Sequence, residues 1–209
     1  MPIVVWGAGG HAAVVAEAAV AAGISVLGFL DDTPEAVAPP GGARLLRDLG
    51  EVADLVPPVA VALGVGANDP RVRLAARVEA AGLGLATVVH PAAWVSPSAT
   101  LGEGAVVMAG AVIQARARVG RAAIVNTSAS VDHDCVLGVG AHLSPGAHLS
   151  GHVTLGDRAW VGTGASVRDR AVIGARTQVG VGAAVVSDLP ADAVAFGVPA
   201  RVRPVPLTP

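Results

Sequence analysis

His133 stands between two carboxylates, Asp132 and Asp134, in the stretch VNTSASVDHDCVLG. An imidazole can take up a proton near neutral pH, and a carboxylate beside it fixes which ring nitrogen is free to do so. The chemistry that needs such a pair is activation of a weak nucleophile. An amine in water is mostly protonated and cannot attack an acyl carbon until a base removes the proton, and nearby donors then hold the tetrahedral oxyanion. On an alternating strand both carboxylates would lie on the face opposite His133; at a tight corner either could reach the ring. His142, His148 and His152 follow closely, so four of the six histidines crowd into twenty residues.

A second chemical feature lies near the start. Gly7, Gly9 and Ala12 satisfy G-x-G-x-x-A within GAGGHA, and Asp31 and Asp32 follow at the distance where a carboxylate meets a ribose. Glycines let backbone N–H groups and a helix N-terminus approach a pyrophosphate. A dinucleotide, a nucleotide sugar, or a turn that needs glycine only for packing would each satisfy the pattern.

The elements that position these residues differ between the two ends of the chain. From Val95 every sixth residue through Val185 is Val, Leu or Ile, and four residues after each comes a small one, mostly Ala. Cys135 fills one of these small slots and is expected in the core. A period of six matches neither a helix nor a simple alternating strand. It fits a short flat strand, a tight corner and another strand, with three sides closing a triangular coil of eighteen residues. Residues 95–184 make five coils, a prism roughly 24 Å tall at strand spacing. In this phase His133, His142 and His148 point out of the prism.

Before residue 90 the pattern changes. IVVWGAGGHAAVVAEAAVAAG reads as a strand, a glycine turn and an Ala-rich helix ending at Gly23. ISVLGFLDD and PVAVALGVG are two more strands, NDPRVRLAARVEAAG a helix with Asn68 or Asp69 near its N-cap, and LATVVH a last short strand. Alternating strand and helix predicts a small parallel α/β sheet, and four strands are too few for both halves of a dinucleotide fold. The expected organisation is a Rossmann-like domain over 1–90 and a β-helix domain with a C-terminal extension over 91–209.

Composition sets limits on partners. The net charge of -2 offers no general attraction to nucleic acid or anionic membrane. One cysteine permits no internal disulfide, no apolar run nears the ~20 residues of a membrane span, and MPIVVWGAGG lacks the basic and apolar regions of a secretory leader. A soluble cytoplasmic protein without membrane insertion is expected.

The hexapeptide repeat resembles that of the left-handed β-helix acyltransferases, and the left hand is implied by that resemblance, since parallel crossovers are otherwise right-handed. GAGGH, FLDD, GANDPR, VNTSASVDHDCVLG and the terminal GVPARV, in this order, are together similar to the family of sialic-acid O-acetyltransferases and nucleotide-4-amino-sugar N-acetyltransferases of the bacillosamine and perosamine type. The resemblance implies a homotrimeric, acetyl-CoA-dependent N-acetyltransferase acting on the 4-amino group of a UDP- or GDP-linked amino-dideoxy sugar, with O-acetylation of sialic acid or a related sugar as the alternative. It implies His133 as general base and Asp134 as its partner. His142, Gly162, Thr163, Gly180 and Val181 would contact acetyl-CoA; Gly7, Gly9, Gly10, His11, Asp31, Asp32, Gly66 and Asn126 would contact the nucleotide sugar. No metal is expected: His142 to His148 is six residues and His148 to His152 four, which departs from the spacing of the related zinc-dependent carbonic anhydrases.

Overall fold

Every sixth residue from Gly104 to Gly182 has a positive φ, between 54° and 70°, whether it is glycine or not. The six-residue period of the sequence is therefore a period of the backbone: each left-handed residue turns a corner, and a two-residue strand follows. The computed structural model describes residues 1–37, 43–56 and 58–203. Its prism strands begin with β6 (Val88–Val89) and β7 (Trp94–Val95) and recur every six residues to β22 (Ala184–Val185). Each pairs in parallel with the strand eighteen residues away, as in Val112↔Ser130 and Ile124↔His142.

Three faces result. The first carries β7, Val112–Ile113, Ser130–Val131 and their successors; the second begins at Thr100–Leu101; the third begins at β6 and ends with β23 (Val194–Phe196) and antiparallel β24 (Arg201–Arg203). This is a left-handed parallel β-helix. The aliphatic of each strand and the small residue of each corner fill its interior, Cys135 among them, buried from Ala105 onward, while Val89, Ala93, Val95, Ala99 and Leu101 at the open end are partly buried. Coils stack so closely that glycine is obligatory at one corner: a Cβ on Gly120 would lie 2.6 Å from the Gly138 carbonyl.

The front sheet is parallel, in the order β3 (Leu45–Leu46), β2 (Val26–Leu30), β1 (Ile3–Trp6), β4 (Ala60–Leu63), β5 (Gly84–Leu85). It has five strands rather than four, because Leu45–Leu46, too short to show a period, adds an edge. LATVVH does not stay in this sheet: only its neighbourhood at Gly84–Leu85 does, while Val88–Val89 pairs with Val106–Val107 of the prism. Helix α1 (Gly10–Ala21) is apolar nearly all round because it is covered on two sides. Ala12, Val15 and Ala19 form one buried cluster with Ile3 and Val5 of the sheet and with Val88, Val106, Met108 and Ile124 of the prism's third face. Small side chains allow that close approach. The opposite sheet face packs on α2 (Leu49–Ala53) and α3 (Asn68–Ala80). No helix among the described residues is long and apolar enough to cross a membrane.

Candidate active site

His133 sits at the vertex between the first and second faces, in the corner following Val131. Asp134 is the left-handed residue of that corner, φ 59°, and this turn brings its carboxylate back to the ring. His133 Nδ1 donates to Asp134 Oδ2 at 2.8 Å, leaving Nε2 as the free basic nitrogen. Asp132 instead accepts the backbone N–H of His133, 2.7 Å. Of the two flanking carboxylates, Asp134 is the one that holds the ring.

Asp134 is itself fixed from the coil below. Arg116 Nε and Nη2 donate to its two oxygens at 2.7 and 2.8 Å. These bonds and the one from His133 hold the carboxyl well below the usual carboxylate range, Arg116 acting most. His152, one coil above, meets the His133 ring edge-on with centroids 5.1 Å apart. Gly151 makes room for the imidazole: a Cβ there would come within 2.8 Å of His133 Cε1 and Nε2. Arg116 and Gly151 were not singled out from the sequence, and His152 only as one of the histidine cluster, yet stacking at eighteen residues relates Arg116, Asp134 and His152 directly. His133, Asp134 and His152 also bring potential metal-binding atoms within 4.8 Å of one another, a grouping that spacing along the chain conceals. Both Asp134 oxygens are already engaged by Arg116.

The front domain and the rest of the prism carry two other groups. Gly7, with φ 118°, needs glycine because a Cβ would press on the Gly64 carbonyl at 3.0 Å. Gly9 and Gly10 have no such constraint, with nothing within 4 Å of an added Cβ, so the fold itself does not explain them. They open α1, whose first N–H groups have no partner within the helix. Asp31 does not present a free carboxylate. Its Oδ2 accepts from Ala8 N at 2.9 Å and its Oδ1 from Thr33 N at 3.0 Å, bracing the glycine turn. Asp32 pairs with Arg77 at 2.8 Å, and that guanidinium lies 4.7 Å over the Trp6 ring. Trp6, Gly7, Asp31, Asp32 and Arg77 line a cavity of about 340 Å³ at the ends of β1, β2 and β4, where the strand order reverses and α/β sheets bind ligands.

His142 points out of the prism, as its phase requires, but it is only 9% exposed because the front domain covers the third face. Asn126 Oδ1 accepts from Thr127 N at 2.8 Å, so Asn126 Nδ2 faces His142 Nε2 at 3.2 Å and leaves the Nδ1–H as the ring's donor. A cavity of about 550 Å³ opens beside it, lined by Gly66, Asn68, His142, Arg158, Trp160 and Gln178. His11 packs nearby, its ring 4.0 Å from the position of a Cβ on Gly66, and its Nε2 is buried without a partner. Thr163 and Val181 are exposed on the edge between the third and first faces. Gly162 and Gly180 beside them are required by stacking, since a Cβ on either would come within 2.7 Å of Val179 O or Phe196 Cβ. Within one chain, then, His142, Asn126, Gly66 and His11 come together, and Thr163 and Val181 line the adjoining edge. His133 and Asp134 do not join them: their vertex is the one that does not border the third face.

Burial drives His142 down to about 3, Arg71 and His11 adding to the effect, and it lowers His11 as well. In the unfolded chain these imidazoles protonate near 6.5. Below that pH the unfolded state binds more protons than the folded one, so stability falls with pH, by about 1.4 kcal/mol per unit from His142 alone. The depressed carboxyls of Asp134 and Asp192, whose ordinary value is 3.8, contribute only at lower pH. Melting temperature should therefore drop by about 5–10 °C between pH 6.5 and 4.5, and His142→Asn should flatten that slope. A melting temperature constant over the window in the native protein would contradict the burial of neutral histidines.

The prism and its His–Asp pair define the class, a left-handed β-helix acyltransferase. Residues 2–78 match the family described as the PglD N-terminal domain. PerB from Caulobacter crescentus, solved in complex with CoA and GDP-perosamine, is 40% identical; the match covers 98% of each chain with a TM-score of 0.90. The acetyltransferase domain of PglB from Neisseria gonorrhoeae is 39% identical over 97% of this chain and 99% of that one, TM-score 0.90. WeeI from Acinetobacter baumannii is 26% identical over 97% and 100%, TM-score 0.87. No curated protein matches the chain. The chain belongs to the nucleotide-amino-sugar N-acetyltransferases of the PerB and PglB type.

Proposed function

We propose that this protein transfers the acetyl group of acetyl-CoA to the 4-amino group of an amino-dideoxy sugar linked to UDP or GDP. The observation that carries the proposal is the His133–Asp134 pair, with Nδ1 held and Nε2 free, on a chain 40% identical to an enzyme solved with CoA and GDP-perosamine. His133 Nε2 removes the proton from the ammonium as its nitrogen attacks the thioester carbon. The C–N bond forms, the carbonyl oxygen becomes an oxyanion, and collapse breaks the C–S bond. The nitrogen gives its second proton to the departing thiolate, and the imidazolium releases the first to solvent. Cys135 takes no part: it is buried, donates to the Ser150 carbonyl at 3.1 Å, and burial raises its thiol to about 11. His142, neutral through burial, suits a donor to the thioester oxygen through Nδ1–H, beside the exposed edge of Thr163 and Val181 along which acetyl-CoA lies. The free N–H groups of Gly9 and Gly10 suit the pyrophosphate.

The working assembly is a homotrimer. His133 is 46% exposed on its side chain, on a vertex away from the face that holds Gly66, His142 and the front domain. A neighbouring copy must therefore bring its own His133 to this chain's sugar and thioester. Cytoplasmic location fits the two co-substrates and the single buried thiol. To test the activity, the protein is incubated with acetyl-CoA and a panel of UDP- and GDP-linked 4-amino sugars, with sialic acid as the contrasting acceptor, and thiol release is followed. Release with one nucleotide amino sugar is expected. Release with sialic acid alone, or with none, would contradict the assignment.

A further inference from the structure

Among the described residues Arg71 is the largest fully buried side chain, 0% exposed, and no carboxylate there partners it. Its Nε donates to the Ala122 carbonyl at 2.7 Å. Nη1 donates to the carbonyls of Gly66 and Val65 at 2.7 and 3.2 Å, and Nη2 to the Gly140 carbonyl and Asn68 Oδ1 at 2.8 and 2.9 Å. Five donors thus meet five neutral acceptors. Burying a cation in this way costs free energy that an apolar residue of similar size would not, so packing alone does not account for an arginine here.

The acceptors do. Ala122 and Gly140 are equivalent corner residues of successive coils, eighteen apart, both with positive φ. Asn68 continues the ladder, its Nδ2 donating to the carbonyls of Arg158 and Ala159 at 2.8 and 3.3 Å. The other acceptors, Val65 and Gly66, belong to the loop between β4 and α3. A planar fork with fixed donor directions is the group that can bind two stacked corners and this loop at once. The pinned Gly66 lines the same cavity as His142 and packs on His11.

We propose that Arg71 is a positioning residue for acyl transfer: it fixes the Gly66 loop in register with the prism, and so sets the distance between the nucleotide sugar held by the front domain and the thioester beside His142. This rests on the acyl-transfer assignment above. A shift of the joint would leave each half-site intact but misalign them, and a misplacement of about 1 Å costs on the order of 10²-fold in rate.

The test compares native protein with Arg71→Lys, which keeps the charge and loses the fork, and with Arg71→Ala in the presence of methylguanidinium. Affinities for CoA, UDP and GDP are measured by calorimetry, and kcat is measured per folded protein with the nucleotide sugar that the native enzyme turns over. For Arg71→Lys, kcat is expected to fall on the order of 100-fold while KM and the native dissociation constants change by less than about threefold. Methylguanidinium should recover at least about tenfold of the rate in Arg71→Ala, because it refills the slot with the same donors. Unchanged kcat in folded Arg71→Lys would overturn the proposal, as would loss of both affinities with kcat intact. Native enzyme without turnover would instead remove the acyl-transfer assignment, so the two failures are distinct.

Discussion

Replacing His133 by alanine should lower kcat by about 10²–10⁴-fold, the range for loss of a general base, with CoA and nucleotide binding nearly unchanged. The expectation follows from geometry: Asp134 and Arg116 tie one side of the imidazole, and the basic Nε2 faces outward over Gly151. The ring supports no core, so its removal leaves an exposed gap rather than a cavity. A further signature separates base catalysis from a structural role. With no base on the enzyme, the reaction depends on the small fraction of free amine in solution. The variant's rate should then climb about tenfold per pH unit below the amine's own pKa, a steeper response than that of the native enzyme. Asp134→Asn should be milder, since the ring remains but is free to choose its tautomer. Thiol-release rates between pH 6.5 and 8.5 read both effects. Native turnover in His133→Ala would refute the role.

Much of the architecture is legible from residue spacing because the solenoid is local: each coil depends on its neighbours eighteen residues away, and the aliphatic every six residues marks the backbone's own period. The His–Asp pair is legible for the same reason, being adjacent in the chain. Which aspartate holds the ring is not, since it depends on the left-handed φ of Asp134, and the sequence pattern leaves both within reach. His142 shows a second limit. Its phase places it outside the prism, but its burial comes from docking of the front domain, which no local period encodes. Asp31 falls where a ribose-binding carboxylate is expected, yet both its oxygens brace the backbone of the glycine turn. Arg71 was hidden in GANDPR because its partners, Ala122 and Gly140, lie 51 and 69 residues away. Arg116 was within reach of the period, one coil before Asp134, for a reader who overlays polar residues as well as aliphatic ones.

In the proposed trimer one chain's His133 serves another chain's sugar and thioester, and mixing two inactive variants separates that arrangement from a site within a single chain. His133→Ala lacks the base but keeps the front domain. Gly9→Glu should do the reverse. Gly9 has φ -86° and open space around an added Cβ, so the fold accepts a side chain there, while the new carboxylate occupies and repels the anion-binding N-terminus of α1. Each homogeneous trimer should be nearly inactive. Trimers formed by co-expressing the two in equal amounts should regain about one quarter of native activity, the fraction of interfaces that pair an intact His133 with an intact front domain. Recovery near that level, read as thiol release per active-site equivalent, is the predicted result. No recovery in trimers shown to contain both variants would place His133 and the front domain of a single chain in the same site, and would contradict the shared-site arrangement.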